Sequence, residues 1–227
     1  MIIKKYKSII TSIKNPIEGI YALEFKSLNG HYKYAPGQFL HLAVDPDYDG
    51  SGQWPESRCF SMQSNPDEDN IRITYAIKGR FTKMMEEKLK IGSEVWLKLP
   101  YGNLFTQPHN KVKSIFIAGG TGITPFLSLF TDMSFNDYIN PKIYLGFRTQ
   151  YFNIYGNEIS HICNRGSLVK TFYEDKEGII DIEQIFRENE VASSYFISGP
   201  PAMIGTFRHT LISKGVCSNN ILSDDWE

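Results

Sequence analysis

The stretch that decides the fold covers residues 113–126 and reads Lys-Ser-Ile-Phe-Ile-Ala-Gly-Gly-Thr-Gly-Ile-Thr-Pro-Phe. Its apolar run, residues 114–118, predicts a buried strand, and a helix is predicted over residues 123–130. Between them lie Gly119, Gly120, Thr121 and Gly122. Glycine lets a backbone turn tightly and approach a ligand, and the free N–H groups of a following helix suit a phosphate. The spacing matches neither a Rossmann nor a Walker loop. It favours a nucleotide-binding loop over a bare structural junction.

Length and composition exclude several classes of protein. The 227 residues suffice for one large domain or two smaller ones, 41% of them are hydrophobic, and the net charge is −1. Nucleic acid and anionic membranes are therefore not expected partners, while a local basic patch for an acidic protein stays open. No apolar stretch reaches transmembrane length and no signal peptide is recognised, so a cytoplasmic protein is expected.

The cysteines indicate neither a metal site nor disulfides. Cys59, Cys163 and Cys217 are too far apart for a zinc site or for the thiolates of a plant-type iron–sulfur centre, and their number is odd. We interpret Cys163 and Cys217 as small, reduced hydrophobic residues. No bound metal is predicted.

The chain changes rhythm near residue 108. Before it, short strands alternate with turns rich in Asp, Asn, Gly and Pro, which predicts an antiparallel barrel or sandwich. The predicted strands cover residues 4–13, 19–26, 37–44, 58–63, 71–78 and 94–99, with one helix over residues 81–89. After a linker at residues 106–110, strands alternate with helices, as in a parallel sheet covered by helices. Here strands are predicted over residues 114–118, 142–147, 167–172, 195–198 and 221–222, and helices over 123–133, 152–163, 182–189 and 201–213.

A second loop also comes after a predicted parallel strand. Ser198-Gly199-Pro200 succeeds an apolar run, and ligands of open parallel sheets lie beyond the carboxyl ends of the strands. By itself, this loop is better explained as a turn with Pro at a helix start.

Two motifs of the first half carry binding chemistry. Arg58 and Phe60 share one face of a predicted strand, and Ser61 points to the other. Arginine can clamp a phosphate and an aromatic ring can lie against a flat ligand, although this tetrapeptide alone favours Phe60 in the core and a solvated Arg58. In the second motif Gly79 is expected to allow a tight turn and Thr82 to cap the next helix, whose N-terminus suits a phosphate.

Seven short motifs occur in a recognisable order. They are Pro36-Gly37-Gln38, Arg58-x-Phe60-Ser61, Gly79-x-x-Thr82, Pro100-x-Gly102, Gly119-Gly120-Thr121-Gly122-x-x-Pro125, Ser198-Gly199-Pro200 and the closing Asp224-Asp225-Trp226. Over essentially its whole length the chain resembles the ferredoxin–NADP reductase-like family of flavoprotein reductases. The resemblance implies a six-stranded antiparallel Greek-key flavin barrel in residues 1–108. It also implies an α/β parallel-sheet domain that binds NAD(P)H in residues 109–227.

The resemblance also implies roles for single residues. Arg58 is expected to grip the flavin phosphate, Phe60 to lie beside the flavin and Ser61 to bond near flavin N5, while Trp226 covers the flavin face. The implied flavin residues are Arg58, Cys59, Phe60, Ser61, Tyr75, Ile77, Lys78, Gly79, Phe81, Thr82 and Trp226. The implied nucleotide residues are Gly119, Gly120, Thr121, Gly122, Arg148, Thr171, Ser198, Gly199 and Pro200. Those implied at the chemical step are Ser61, Ser198, Asp224 and Trp226.

Three positions depart from the family pattern. Phe60 replaces a Tyr, which removes a hydrogen bond worth about 0.5–1.5 kcal/mol and favours looser flavin binding. Ser198 replaces a Cys that is more polarisable. Asp224 replaces a Glu that is one methylene longer, so its proton-relay or positioning role is an open question.

The choice of nucleotide depends on the residues at the end of the second nucleotide strand. NADPH-specific relatives carry Ser-Arg there for the 2′-phosphate, whereas the matching stretch here, residues 170–175, ends in Glu174-Asp175. These carboxylates favour the ribose diol of NADH. Arg148, at the end of another strand, argues for NADPH.

The implied reaction is hydride transfer from nicotinamide C4 to flavin N5. Electrons then pass to a separate protein such as a ferredoxin or an oxygenase component, with FAD, or alternatively FMN, as cofactor. Two other functions stay open. One is reduction of free flavin, and the other is a flavin-binding electron-transfer subunit without NAD(P)H oxidation of its own.

Overall fold

The computed structural model of the protein describes residues 2–163 and 167–224. These residues form two compact units. One comprises the residues up to Asn103 together with Leu127–Asp132, and the other comprises Leu104–Phe126 together with the residues from Met133 onward.

The first unit is a six-stranded antiparallel sheet with one helix. Its elements are β1 Lys4–Ile17, β2 Ile20–Ser27, β3 Phe39–Ala43, β4 Ser57–Ser61, β5 Asn70–Ala76, α1 Arg80–Lys88 and β6 Glu94–Tyr101. The strands are ordered β4-β3-β6-β1-β2-β5. The N–H of Gln63, just after β4, donates to the carbonyl of Arg72 in β5 over 2.8 Å, so the two edges of the sheet meet. This contact closes the sheet into a barrel.

Alternating side chains fill the barrel. Each of the six strands contributes buried residues to one apolar cluster, as a period of two residues per strand requires. Helix α1 adds Phe81 and Met85 to the same cluster. The core therefore holds β4 and the start of α1 against the same set of side chains.

Trp96 of β6 anchors the long connection between β3 and β4. Its indole N–H donates to the carbonyl of Tyr48 over 2.8 Å. Gly50 (φ +95°) lies so close that a methyl group on it would be 2.5 Å from the Trp96 ring. The connection is thus held on the barrel before the chain enters β4 at Ser57.

The second unit is a five-stranded parallel sheet. Its elements are β7 Ser114–Gly119, α2 Thr124–Thr131, β8 Lys142–Phe147, α3 Gly156–Cys163, β9 Leu168–Tyr173, α4 Glu174–Glu177, α5 Ile182–Arg187, β10 Ser194–Ser198, α6 Pro201–Ser213 and β11 Ile221–Ser223. The strand order is β11-β10-β7-β8-β9, with every neighbouring pair parallel. One face packs on α5 and α6 through aliphatic side chains such as Ile117 and Leu211. On the other face the rings of Phe116 and Phe196 stack at 4.9 Å.

The predicted fold class is confirmed: an antiparallel six-stranded barrel precedes an α/β parallel-sheet unit. Some element bounds differ. Strand β1 continues to Ile17 because it forms a hairpin with β2, and α2 and α3 are shorter because 3-10 turns take up their ends. Helix α4 was not predicted, since four residues with three carboxylates have no apolar period.

One interpretation of the cysteines was wrong. Cys163 and Cys217 are exposed, because each lies at the end of a surface element, so neither acts as a packed hydrophobic residue. Cys59 is half-buried. In residues 2–163 and 167–224, no helix combines the length and the hydropathy that crossing a bilayer requires.

Candidate functional site

The inner face of β4 carries Arg58 and Phe60. They pair with Leu42 and Leu40 of β3, whose side chains belong to the barrel core. Phe60 is 8% exposed, whereas the Arg58 side chain is 57% exposed, with its guanidinium 5.4 Å above the Phe81 ring. The burial is the arrangement that the tetrapeptide alone favours. The position of Phe60 beside a flavin stays a prediction.

The outer face of β4 carries Cys59 and Ser61. The Cys59 sulfur lies 3.5 Å from Nε2 and 3.7 Å from Nδ1 of His41 on β3. Burial, and then the charge of Lys98, lowers the pKa of His41 below its usual value. Ser61 is buried and pairs with Phe39. The strand thus places Ser61 opposite Phe60, as the alternation of residues predicts.

Thr82 shapes the turn that leads into α1. Its hydroxyl accepts the N–H groups of Lys78 (3.0 Å) and Gly79 (3.2 Å) and donates to the carbonyl of Gly79 over 3.1 Å. Helix α1 begins at Arg80, so Thr82 caps it from the third helical position, not from the position before the helix. The Thr82 hydroxyl thus holds the backbone of this turn, and its predicted flavin contact stays a prediction.

The tight turn predicted at Gly79 was wrong. Gly79 has φ −165° and ψ −174°, an extended backbone that any residue adopts. A methyl group built there would meet no atom within 4 Å. Neither backbone strain nor packing requires a glycine here. The predicted flavin contact of Gly79 stays a prediction.

Strand β5 contributes Tyr75 and, just after its end, Ile77. Tyr75 is buried, its ring lies 5.7 Å from that of Phe60, and burial raises its pKa above the usual value. The Ile77 N–H donates to the carbonyl of Gly19 over 2.9 Å. Their predicted flavin contacts are not tested by this geometry.

Arg80 is a candidate that the sequence reasoning missed. It is the first residue of α1, and its Nη2 donates to both carboxylate oxygens of Glu56, over 2.8 and 2.9 Å. Glu56 Oε1 also lies 3.8 Å from Nη2 of Arg58. The signal was an unassigned Arg inside Gly79-x-x-Thr82, but its partner is 24 residues away.

In the second unit, two loops extend from neighbouring parallel strands. Gly119 ends β7, and residues Gly120–Ile123 form a 3-10 turn that leads into α2. Ser198 ends β10 and pairs with Ala118, so both loops leave from the same edge of the sheet. A methyl group on Gly122 would lie 2.6 Å from Cα and N of Gly199, so the two loops interlock through their glycines.

The glycines of these loops have separate jobs. Gly120 (φ +56°) faces open space, since a methyl group there would meet nothing within 4 Å. Gly199 (φ +151°) needs its backbone freedom, and a methyl group on it would lie 3.1 Å from the backbone nitrogen of Gly119. Gly120 is thus not needed for packing, whereas Gly122 lies directly against the backbone of Gly199.

Ser198 lies beside Asp224. Ser198 is 2% exposed, and its hydroxyl lies 3.4 Å from Oδ2 of Asp224. The Asp224 N–H donates to the carbonyl of Ile197 over 3.0 Å, which holds the residue at the end of β10. The structure thus brings together two residues that sequence reasoning placed at the chemical step. Asp225 and Trp226 lie outside the described residues.

The outer strands carry the residues predicted to choose the nucleotide. The stretch 170–175 lies on β9 and the start of α4. It therefore belongs to the third parallel strand in chain order, whereas the prediction assigned it to the second. Lys170 is held by Glu188 (2.7 Å), and that hydrogen bond raises the pKa of Lys170. Thr171 is half-buried and pairs with Leu145.

Helix α4 is tied to the end of β8. The Asp175 N–H donates to the carbonyl of the exposed Arg148 over 3.2 Å. Glu177 accepts the Tyr173 N–H over 2.9 Å. Arg148 and the acidic residues of α4 therefore lie at the same edge as the glycine loops, whereas Lys170 is engaged elsewhere.

Known proteins resemble this chain over nearly its whole length. No family model matches it. The reductase component of propane 2-monooxygenase from Mycolicibacterium smegmatis is 25% identical over 99% of the chain and 68% of its own length. The corresponding protein of Rhodococcus jostii is 26% identical over 98% of the chain and 64% of its own length. The chain thus spans about two thirds of the length of these relatives.

A solved structure shares the fold. It is a ferredoxin NADP+ reductase from Neisseria gonorrhoeae with bound FAD and NADP, with a TM-score of 0.79, 16% identity and 98% coverage of both chains. In sequence and fold, the chain is similar to the ferredoxin–NADP reductase-like family of flavoprotein reductases. Like its named relatives, which are reductase components, the chain is an oxidoreductase. The Neisseria structure holds FAD and NADP.

The residues of this reductase fit both cofactors. In the first unit, the open Gly79, the N-terminus of the nine-residue α1 and the guanidinium groups of Arg58 and Arg80 suit a pyrophosphate. In the second unit, the open Gly120 at the carboxyl end of β7 suits a dinucleotide.

Proposed function

We propose that this reductase takes electrons from NAD(P)H through FAD and passes them to a separate redox protein, a ferredoxin or an oxygenase component. The observation that most supports this function is that two glycine loops pack against each other at the carboxyl ends of β7 and β10. That edge of a parallel sheet is where dinucleotides bind, and a turn that excludes side chains lets the backbone approach one. The names of the relatives, which are reductase components of oxygenase systems, support the same function.

The proposed binding roles follow the two sequence patterns of the chain, short strands with turns and then strands alternating with helices. Residues 1–108 bind flavin and residues 109–227 bind the nucleotide. When bound, FAD accepts a hydride and releases its electrons one at a time. Arg58 neutralises phosphate charge, Ser61 holds the polar edge of the flavin ring, and Ser198 with Asp224 borders the nicotinamide. The buried Ser198 hydroxyl orients the ring and needs no change of charge to do so.

NADH is the proposed donor. Glu174, Asp175 and Glu177 lie in α4 at the end of β9 and would repel a 2′-phosphate. Arg148 provides a single positive charge at the same edge, and Lys170 is occupied by Glu188. The summed charge of Arg148 and the four residues of α4 is thus negative, which favours a ribose diol.

Anaerobic titration of the purified protein with NADH and, separately, NADPH tests the function. We expect the flavin absorbance to bleach with either nucleotide and at a lower concentration of NADH. If the protein retains flavin and neither nucleotide bleaches it, the proposal fails. The protein would then be a flavin-binding electron-transfer subunit that does not oxidise NAD(P)H. Bleaching by NADPH alone would overturn the choice of donor. A cytoplasmic location stays a prediction for cell fractionation.

Two observations favour a second function, the reduction of free flavin. Phe60 has no hydroxyl for the flavin, and Arg58 lies beside the Glu56 carboxylate. Both features weaken flavin binding. A yellow protein with about one flavin per chain supports the first function, and a colourless protein whose NADH oxidation needs added flavin supports the second.

A further inference from the structure

A cluster of three charged side chains lies where β4 and α1 begin. Glu56 immediately precedes β4, Arg58 is its second residue and Arg80 is the first residue of α1. Arg80 Nη2 contacts both oxygens of Glu56 at 2.8 and 2.9 Å, and Arg58 Nη2 lies 3.8 Å from Oε1. One carboxylate therefore sits between two guanidinium groups.

The same place has the other properties of a phosphate site. Gly79 is open, and the first N–H groups of a helix have no partner within the helix. The Thr82 hydroxyl fixes the backbone of the turn. Arg58 is also held by Phe81, over whose ring its guanidinium lies at 5.4 Å. Gly79, the start of α1, Arg58 and Arg80 thus form a phosphate cradle. The Glu56 carboxylate already contacts its two arginines.

The ion pairs themselves are weak. The side chains of Glu56, Arg58 and Arg80 are 50%, 57% and 85% exposed. Exposed ion pairs of this kind contribute little to stability, because solvent screens both charges. A phosphate carries more charge and more acceptor oxygens than a carboxylate, so it can replace Glu56 on both guanidinium groups. The displaced carboxylate then lies close to the phosphate and repels it.

We propose that Glu56 is an internal anion that a flavin phosphate must displace, and that it thereby lowers the affinity of the protein for FAD. This inference rests on the proposed function, since it requires flavin at β4 and α1. It adds Arg80 as a second phosphate ligand. It also defines the ligand class as phosphate-bearing flavins, because riboflavin has no group that competes with Glu56.

A supporting role for Glu56 would change FAD affinity in the opposite direction from a competing role. If Glu56 mainly oriented Arg58 and Arg80 for the phosphate, its neutralisation would weaken FAD binding. If Glu56 competes, neutralisation strengthens FAD binding, and more so at low salt, where charge repulsion between exposed groups is less screened. A single isosteric substitution, Glu56→Gln, therefore distinguishes the two roles.

The experiment measures flavin affinity of the full chain stripped of flavin. FAD and riboflavin are titrated by fluorescence quenching at about 20 and about 200 mM salt, which changes the screening of exposed charges, into the parent, Glu56→Gln, Arg80→Gln and Glu94→Gln. Glu94 is the matched control, because it forms a 2.8 Å ion pair with Lys7 elsewhere in the same unit and is similarly exposed (55%). Circular dichroism verifies the fold of each variant.

For Glu56→Gln we expect the Kd for FAD to fall about three- to five-fold at low salt and less at high salt. The Kd for riboflavin should not change. Arg80→Gln should raise the Kd for FAD several-fold, again without an effect on riboflavin, and Glu94→Gln should change neither.

Three results would overturn the inference. An unchanged or higher Kd for FAD in Glu56→Gln would exclude competition, and an equal change for riboflavin would exclude a phosphate as the competing group. Both of these leave the proposed function intact. Failure of every variant, the parent included, to bind any flavin would overturn the proposed function as well.

Discussion

Two proposed phosphate sites differ in kind: the flavin cradle of the first unit (Glu56, Arg58, Gly79 and Arg80) and the nucleotide loops of the second (residues 119–122 and 198–200). In the cradle, charged side chains set the interaction with a phosphate. Arg58, Arg80 and Glu56 lie at the surface near Gly79, which has no neighbouring atoms at its Cβ position. In the loops, the absence of side chains does it, since Gly122 packs directly against the backbone of Gly199. The cradle is electrostatic and adjustable, whereas the loops are steric and allow little change.

The difference indicates how each site responds to substitution. Exposed charges are screened by solvent, so losing one changes affinity by a graded amount that salt can tune. A methyl group 2.6 Å from backbone atoms cannot be accommodated unless the loops part. The largest effects should therefore come from the smallest substitutions in the second unit.

Gly122→Ala should have the largest effect. Parting the loops costs about 2 kcal/mol, which corresponds to a roughly thirty-fold higher Kd for NADH. Flavin content should not change, because the cradle lies in the other unit. Nucleotide affinity is measured by quenching or calorimetry, and a Kd within about two-fold of the parent would show that the loops are less tightly interlocked than the structure indicates.

Arg58→Ala should come next. A hydrogen bond to a charged group contributes about 1.5–3 kcal/mol, and the exposure of Arg58 places its loss at the lower end of that range. The Kd for FAD should therefore rise roughly ten-fold while NADH affinity is kept. The Kd for FAD of Arg58→Lys should lie between those of the parent and Arg58→Ala, because lysine keeps the charge but lacks the planar guanidinium group. Fluorescence titration provides the values. Equal loss for riboflavin would contradict a phosphate contact of Arg58.

Gly120→Ala should have a smaller effect than Gly122→Ala, although both residues lie in the same loop. Gly120 meets no neighbour, so the only intrinsic cost is the positive φ, about 1 kcal/mol or five-fold in Kd for NADH. Gly120→Asn, which tolerates this conformation better, should recover part of the loss. If Gly120→Ala exceeded Gly122→Ala, the bound nucleotide and not the loop packing would decide which glycines are needed.

The smallest expected effect is a loss of stability in acid, and each unit has a histidine that contributes. In the second unit His109 donates from Nδ1 to the carbonyl of Gln107 (2.7 Å) and accepts the Tyr138 hydroxyl at Nε2 (2.6 Å). Burial is the main cause of its lowered pKa, with Lys111 adding to it. Unfolded His109 binds a proton near pH 6.5, but the folded residue does so only at lower pH. The contribution of His109 to stability is therefore complete above about pH 6.5 and decreases below it.

Urea unfolding at about pH 7.5 and about pH 5.5, on either side of the ordinary histidine pKa, checks the sign. The midpoint of the parent should be lower in the more acidic buffer, and His109→Gln should reduce that difference. His41→Gln should do the same in the first unit, since burial lowers the pKa of His41 as well. A midpoint that rises in acid would contradict both assignments.

Much of the fold was predictable because it depends on local rhythm. The apolar run before Gly119 predicted β7 closely, and the alternation of strands and helices predicted α2 closely. Strands β8 and β10 and helix α6 were also predicted within one residue. The four-residue α4 was missed because its carboxylates carry no periodic signal. The burial of Phe60 and the exposure of Arg58 were predictable from the tetrapeptide alone.

The site was predictable as a set of positions but not as a set of contacts. The sequence pointed to Gly119–Gly122 and Ser198–Pro200, yet it treated every glycine as serving a ligand. It also assigned Gly79 a tight turn that the extended backbone does not make. Arg80 was passed over because its importance depends on Glu56, a residue in a different segment.

By itself, the amino-acid sequence determined the two-part architecture, the class of cofactors and the family, because these depend on periodicity and on motifs whose order is local information. Only the tertiary structure decided which glycine packs on which backbone, that Lys170 is held by Glu188, and that a carboxylate lies between two guanidinium groups. Each of these is a contact between residues far apart in the chain. Such contacts exist only after the strands have set the segments side by side.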